Sequence, residues 1–258
     1  HDLLEPIYDP TFYEHSYACR SGRGHHAAVL RLHGWIKGNP NRFFLKCDIK
    51  KFFPSIDRKI LLNILGRTLH DKLLMDCLTQ LVMTAPGTNG IPIGNLTSQL
   101  FANIYLNELD QFIKRKLQIR HYIRYMDDFV LVVDSKIEAE NLRLKIETYL
   151  NLELKLIMSP HKVLIASCVE GISFLGFLLK PKEIRLKGTF YRRLRKKVTK
   201  AQHRELLGQG VHPRNSSPLQ AVLNSYAGHV RFCTNPRPLQ EYLMGKAMIL
   251  NSVSEICN

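Results

Sequence analysis

Two short apolar runs, His121–Tyr125 and Phe129–Val133, are separated by nothing but Met126-Asp127-Asp128. Runs rich in Tyr, Ile, Phe and Val and split by so few residues read as a β-hairpin. A pair of carboxylates in a tight turn is ordinary, because Asp tolerates turn geometry. Here the flanks are Tyr125-Met126 and Phe129-Val130-Leu131, so the hairpin belongs in a sheet with a covered face. Whatever this chain folds into must hold two adjacent acids at the tip of an apolar hairpin.

A third strand is predicted over Phe43–Ile49, where Phe43, Leu45, Cys47 and Ile49 share one face and Phe44, Lys46 and Asp48 the other. An Asp at a strand end is usually solvated. If this strand pairs centrally with the hairpin, however, Asp48 comes close to Asp127. Clustered carboxylates repel, and a divalent cation relieves the repulsion. Two such ions about 3.5–4 Å apart bind the attacking and leaving oxygens of a phosphoryl transfer.

Around these strands the sequence is helical. Asp57 is expected to N-cap a helix carrying Ile60, Leu61, Ile64 and Leu65, and a second helix is expected over about 70–84. Leu100, Phe101, Ile104, Tyr105, Leu109, Phe112 and Ile113 mark a strong amphipathic helix. Ser135-Lys-Ile-Glu138 is a capping box opening another. Residues 1–34 are mixed, and 173–179 with 184–186 suggest a hairpin around Pro181. The order β-α-α-β-β-α-β is that of an α+β domain with a central antiparallel sheet. Beyond residue 187 the chain turns helical and very basic, so a domain boundary is expected there.

The formal net charge is +15, and the commonest large anion in a cell is nucleic acid. Tyr191 to Lys200 places Tyr191, Leu194 and Val198 on one face, with the cations Arg192, Arg193, Arg195, Lys196, Lys197 and Lys200 mostly elsewhere and no acid among them. That pattern favours a phosphate track. The six cysteines form no C-x-x-C pair, which argues against a zinc site or disulfide framework and for a reducing compartment. No apolar run reaches membrane-spanning length. Without an initiator Met, the chain reads as a fragment lacking residues at its front.

The residues now carry a resemblance. Leu45-Lys-Cys-Asp-Ile-Lys-Lys-Phe-Phe-Pro-Ser-Ile-Asp57, Gly90-Ile-Pro-Ile-Gly-Asn-Leu-Thr-Ser-Gln99 and Tyr125-Met-Asp-Asp128 resemble motifs A, B and C of reverse transcriptases. His161-Lys162 falls where motif D has its lysine, and Ile172-Ser-Phe-Leu-Gly-Phe177 is similar to the primer-grip motif. Ser16-Tyr-Ala-Cys-Arg-x-Gly-Arg-Gly24 resembles the pre-palm segment of group II intron-like enzymes. The five palm motifs occur in order over about residues 45–180. The resemblance implies a right-hand polymerase: partial fingers over 1–42, a palm with helices on one face of its sheet over 43–186, and a helical thumb over 187–258.

Roles follow from that resemblance. Asp48 and Asp127, with the Ile49 carbonyl and Asp128 closing the cluster, would hold two magnesium ions, manganese being able to substitute. Lys162 would protonate the departing pyrophosphate. Phe53 matches the steric gate that excludes a ribose 2′-hydroxyl, and Ile93, Gly94 and Gln99 would lie near the incoming nucleotide. Leu175 and Gly176 would meet the primer, and Arg20 and Arg23 the template or nucleotide. The partners implied are an RNA template, a DNA primer or cDNA and deoxynucleoside triphosphates, in a bacterial or phage-derived cytoplasmic enzyme. Most reverse transcriptases carry Gln before the motif B glycine and Pro after its serine; this chain has Ile93 and Gln99. That pattern resembles the error-prone enzymes of diversity-generating retroelements, which work with a basic accessory protein. Group II intron, retron and CRISPR-associated enzymes, and a catalytically silent RNA-binding relic, remain alternatives.

Overall fold

The computed structural model describes residues 2–92, 96–206 and 218–234. In chain order they form α1 (Glu5–Tyr8), α2 (His25–Gly38), β1 (Phe43–Asp48), α3 (Phe52–Ser55), α4 (Arg58–Gly66), α5 (Lys72–Met83) and α6 (Leu96–Gln111). There follow β2 (His121–Tyr125), β3 (Asp128–Val133), α7 (Lys136–Glu153), β4 (Leu164–Ser167), β5 (Ile172–Phe174), β6 (Phe177–Lys180), β7 (Glu183–Leu186), α8 (Gly188–Leu206) and α9 (Pro218–Val230). Two compact units divide between Glu170 and Gly171.

The first unit is built on an antiparallel sheet ordered β2-β3-β1-β4. β3, the strand with the longest apolar run, lies inside the sheet. Leu45, Cys47, Phe129, Leu131 and Val133 join one core with residues of α4, α6 and α7, among them Leu61, Leu65, Phe101, Tyr105, Leu142 and Ile146. The expected sheet with helices on one face gains a helix on the other. α2 packs along β2, with Trp35 5.1 Å from His121, and Phe44, Ile123, Val130 and Val132 on that side are buried as well. Burial on both faces explains why β3 reads Phe-Val-Leu-Val-Val without alternation.

Local signals set the helix ends. The Asp57 carboxylate accepts from the N–H groups of Lys59 (2.9 Å) and Ile60 (3.1 Å), and that of Asp71 from Leu74 N–H at 2.7 Å. Ser135 Oγ caps α7 by accepting from Glu138 N–H at 3.1 Å. The Glu138 carboxylate reaches back to Asp134 N–H at 3.2 Å, one residue ahead of the position a capping box would use. The amphipathic run expected to reach Ile113 leaves the α-helix at Gln111 and continues as a π turn over Phe112–Lys116.

The second unit has a three-stranded sheet, β5-β6-β7, and the packed pair α8 and α9. The strand expected over 173–179 is two strands. Phe174 pairs with Phe177, and the intervening Leu175 (φ +48°) and Gly176 (φ +89°) make a two-residue turn with both central residues left-handed. Thr234 N–H donates to the Ile184 carbonyl at 3.0 Å, while Ile184 N–H donates to Thr234 Oγ1 at 2.7 Å. These bonds tie the end of the helical pair to β7, so the unit begins ahead of β5 rather than at residue 187.

Candidate active site

The register of the central sheet brings the carboxylates together. Six consecutive residues of β1 pair with β3, from Phe43 opposite Val133 to Asp48 opposite Asp128. Opposed residues on an antiparallel pair point to the same side of the sheet, with Cβ atoms about 4.5–5.5 Å apart. Tyr125 pairs with Asp128, which leaves Met126 and Asp127 as a two-residue turn. Met126 has φ +55°, a costly value for a side chain of its size, and the Arg124 guanidinium donates to its carbonyl at 3.2 Å.

Arg124 itself is wholly buried. Its Nε and NH2 donate to the two carboxylate oxygens of Asp110 on α6, at 2.8 and 2.6 Å, and its NH1 to Asn103 Oδ1 at 3.1 Å. Tyr122 Oη donates to Asp110 Oδ1 at 2.6 Å. Sequence reasoning missed this network. Its signals were one Asp in an apolar helix and one Arg in an apolar strand, neither of which points to the other.

Two lysines attend the acids. Lys162 Nζ lies 2.8 Å from both oxygens of Asp48, and Lys46 Nζ lies 3.0 Å from Asp128 Oδ2. Lys46 stands two residues before Asp48 on the same strand face, diagonal to Asp128, and that spacing was the available signal for it. The other oxygen, Asp128 Oδ1, is buried with no hydrogen-bond partner among the described residues. Burial raises the pKa of Asp128 above the usual carboxylate value; Lys46 opposes the shift, and Asp48 and Asp127 add to it. Burial likewise raises Asp127, with Asp48 adding to the effect. Lys162 is raised chiefly by its bond to Asp48.

This donor set suits a hard divalent cation: carboxylates held close, two of them with raised pKa, and one oxygen without a donor. The Ile49 carbonyl stays outside the β-bridge to Met158, because that bridge is closed by Ser159 N–H to Asp48 O (2.8 Å) and Lys50 N–H to Ile157 O (2.9 Å).

Downstream of β1, Lys51 takes φ +47° and starts α3, which carries Phe53. The Phe53 side chain is half-buried against the core, 5.5 Å from the Phe52 ring, and its carbonyl accepts from Ile91 N–H at 3.3 Å. Gly90 permits this approach. It has φ +87°, and a Cβ there would lie 3.0 Å from Pro54 Cα and from the Pro54 carbonyl oxygen. The buried Arg58 donates to the carbonyls of Gly90 (2.8 Å), Ala85 (2.7 Å), Pro86 and Asn89, fixing the 85–90 loop. Gln99 is half-buried near the start of α6, whereas Ile93 and Gly94 lie outside the described residues.

The arginines expected to face nucleic acid differ from each other. All five N–H groups of Arg20 are directed inward, to Asp9 and to the carbonyls of Tyr13 and Ser16, so it orders residues 9–20 and has no donor left for phosphate. Arg23 is exposed, with one bond to the Glu14 carbonyl. In the second unit Leu175 and Gly176 form the β5–β6 turn. On α8, Arg192, Arg193, Arg195, Lys196, Lys197 and Lys200 are all exposed, while Leu194 and Val198 are buried. Tyr191, expected on the apolar face, is 39% exposed.

Comparison with known proteins follows the same line. The family model for reverse transcriptase (RNA-dependent DNA polymerase) matches residues 1–179. Protein YkfC of Escherichia coli (strain K12) is 26% identical over 228 residues, covering 70% of this chain and 59% of that protein. The group II intron-encoded protein LtrA of Lactococcus lactis subsp. cremoris is 24% identical over 260 residues, covering 74% and 43%. This chain therefore spans roughly half the length of those two relatives. A telomerase from Candida tropicalis, solved with a TWJ fragment of telomeric RNA, shares the fold with a TM-score of 0.56 at 13% identity, covering 86% of this chain and 44% of that one. The paired β1 and β3, the acids on them and the match across 1–179 agree: the chain belongs to the reverse transcriptase (RNA-dependent DNA polymerase) family.

Proposed function

We propose that this chain is an RNA-directed DNA polymerase whose acidic centre is Asp48, Asp127 and Asp128. The observation that carries the reading is the pairing of Asp48 with Asp128 across β1 and β3, with Asp127 on the adjoining turn, in a member of this family. Two magnesium or manganese ions bound by Asp48, Asp127 and the Ile49 carbonyl would activate the primer 3′-hydroxyl and stabilise charge on the leaving pyrophosphate. Lys162, bound to Asp48 through Nζ, would move a proton from that atom to the departing pyrophosphate. Phe53, braced by Phe52 and by the loop that Arg58 clamps, would exclude a ribose 2′-hydroxyl and select deoxynucleotides. The exposed cations of α8 would follow the phosphates of an RNA–DNA duplex.

Two subtypes differ in what supports them. Ile93 and Gln99 favour the error-prone enzyme of a diversity-generating retroelement, with a basic accessory protein as partner. Relatedness to LtrA favours a group II intron type. The deciding assay is primer extension on an RNA template with deoxynucleotides and magnesium, beside the Asp127→Ala, Asp128→Ala double variant. cDNA from the wild type alone supports polymerase function, and errors concentrated at template adenines then select the retroelement subtype. RNA binding without cDNA would leave the RNA-binding relic as the better account.

A further inference from the structure

Away from the carboxylates, the first unit has a second concave site. Helix α2 and the segment leading to it border an open cavity of about 650 Å3 lined by Tyr17, Arg23, Leu30, Arg31, Gly34 and Trp35. Small-molecule sites usually run to about 300–1,000 Å3. Three other cavities of this unit are smaller, at about 240, 370 and 400 Å3, and carry acids beside their cations.

The lining pairs aromatic surface with positive charge. Tyr17 is buried, with the Arg23 guanidinium 5.7 Å from its ring centroid. Trp35 is half-buried and braced by two imidazoles, His15 at 5.2 Å and His121 at 5.1 Å. Its orientation is therefore set in advance. Leu30 is 47% exposed, and Arg31 is exposed on the same helix. No acid lines the cavity among the described residues, and the Glu14 carboxylate sits against His15, 3.3 Å away.

Gly34 marks where the cavity could be filled. It lies within α2, where glycine costs about 0.5–1 kcal/mol relative to alanine. A Cβ at that position would meet nothing within 4 Å, so no packing inside the protein requires glycine there. Gly34 lines the cavity beside Trp35, and a larger side chain there would take up part of its space.

We propose that this pocket takes an unpaired nucleobase of a single RNA strand, stacked on the Trp35 side, with its flanking phosphates on Arg23 and Arg31. Stacking on an aromatic beside cations is how single strands are held without reading sequence. Charge complementarity favours RNA over an apolar partner, since both charged side chains of the lining are arginines. The pocket also adjoins the catalytic sheet: Tyr17 N–H donates to the Arg124 carbonyl of β2 at 3.0 Å. The inference rests on the reverse transcriptase reading for its ligand class but not for its readout.

Trp35 is the one tryptophan in the chain and serves as the probe. Its fluorescence in the full chain is titrated with a single-stranded adenine 12-mer RNA, with AMP, and with the same RNA annealed to its complement. The proposal expects quenching that saturates with the single strand, at least tenfold weaker binding of AMP, and little quenching by duplex. Gly34→Leu, which fills the cavity while favouring the helix, should remove the quenching and weaken single-strand binding about tenfold, the loss of one stacked base. Arg31→Glu should lower the salt dependence of binding by about one unit of slope. Unchanged quenching in a folded Gly34→Leu variant overturns the proposal, as does equal binding of AMP and the 12-mer, or RNA binding by anisotropy with no change at Trp35. Extension without Trp35 quenching sinks the pocket alone, whereas quenching without extension sinks the polymerase reading alone.

Discussion

Asp110→Asn keeps the shape of the buried side chain and removes its charge, leaving the Arg124 guanidinium without a counter-ion. Both side chains of the pair are 0% exposed, so water does not replace the missing carboxylate. Removing one partner of such a pair costs about 3–5 kcal/mol. That is a large share of the roughly 5–15 kcal/mol that holds a folded domain together. Arg124→Met should cost a similar amount, because it leaves the Asp110 carboxylate with Tyr122 Oη as its remaining side-chain donor among the described residues. The double variant buries no unpaired ion, so it should be more stable than the sum of the singles by about 0.5–3 kcal/mol. Urea unfolding followed through Trp35 reports this unit directly. Activity should follow a different pattern. Every variant lacking Arg124 loses the donor to the Met126 carbonyl, so the turn presenting Asp127 loosens, and kcat for extension should fall about 10- to 100-fold with KM for deoxynucleotides little changed. Singles that add within about 0.5 kcal/mol, or a double variant extending at the wild-type rate, would refute the coupling of this network to the turn.

Further predictions follow from the same geometry. Burial raises Asp127 and Asp128, so between the ordinary carboxylate pKa and the raised ones the native chain holds more protons than the unfolded chain, and metal-free stability should fall as pH rises through that window. Asp127→Asn should accordingly raise the metal-free Tm at pH 7 while abolishing extension, and a lowered Tm would contradict the burial argument. Lys46→Met removes the cation facing Asp128 and should move the acidic limb of the extension pH profile upward; an unmoved profile would show that Lys46 does not tune the acid that governs extension. Gly90→Ala forces a Cβ against the Pro54 backbone at φ +87° and should cost on the order of 1–3 kcal/mol, measured by thermal unfolding. Phe53→Val should admit ribonucleotides, read as ribonucleotide incorporation against deoxynucleotide incorporation, with no change in that ratio counting against the gate.

Features encoded within a few residues were readable from the sequence. The hairpin at 121–133, the strand at 43–48 and the caps at Asp57 and Ser135 rest on period, turn chemistry and N-cap chemistry, all local. Helix α2 escaped because its buried residues, Ala28, Val29, Leu32 and Ile36, share the stretch with histidines and glycines that blur the period. The Leu175-Gly176 turn escaped because leucine is a poor signal for a left-handed residue. Lys46 with Asp128, Lys162 with Asp48 and Arg124 with Asp110 are pairings of tertiary origin. A single sequence shows their charges without showing which meets which.

The most direct test of the central claim is a magnesium titration of RNA-templated primer extension with wild type and Asp48→Asn. The wild type should make cDNA with a saturable dependence on magnesium and Asp48→Asn should make none, although the variant still binds the primer–template. Equal synthesis by both proteins would remove Asp48 from the chemistry, and a wild type that binds the duplex yet makes no cDNA at any magnesium concentration would contradict the polymerase assignment itself.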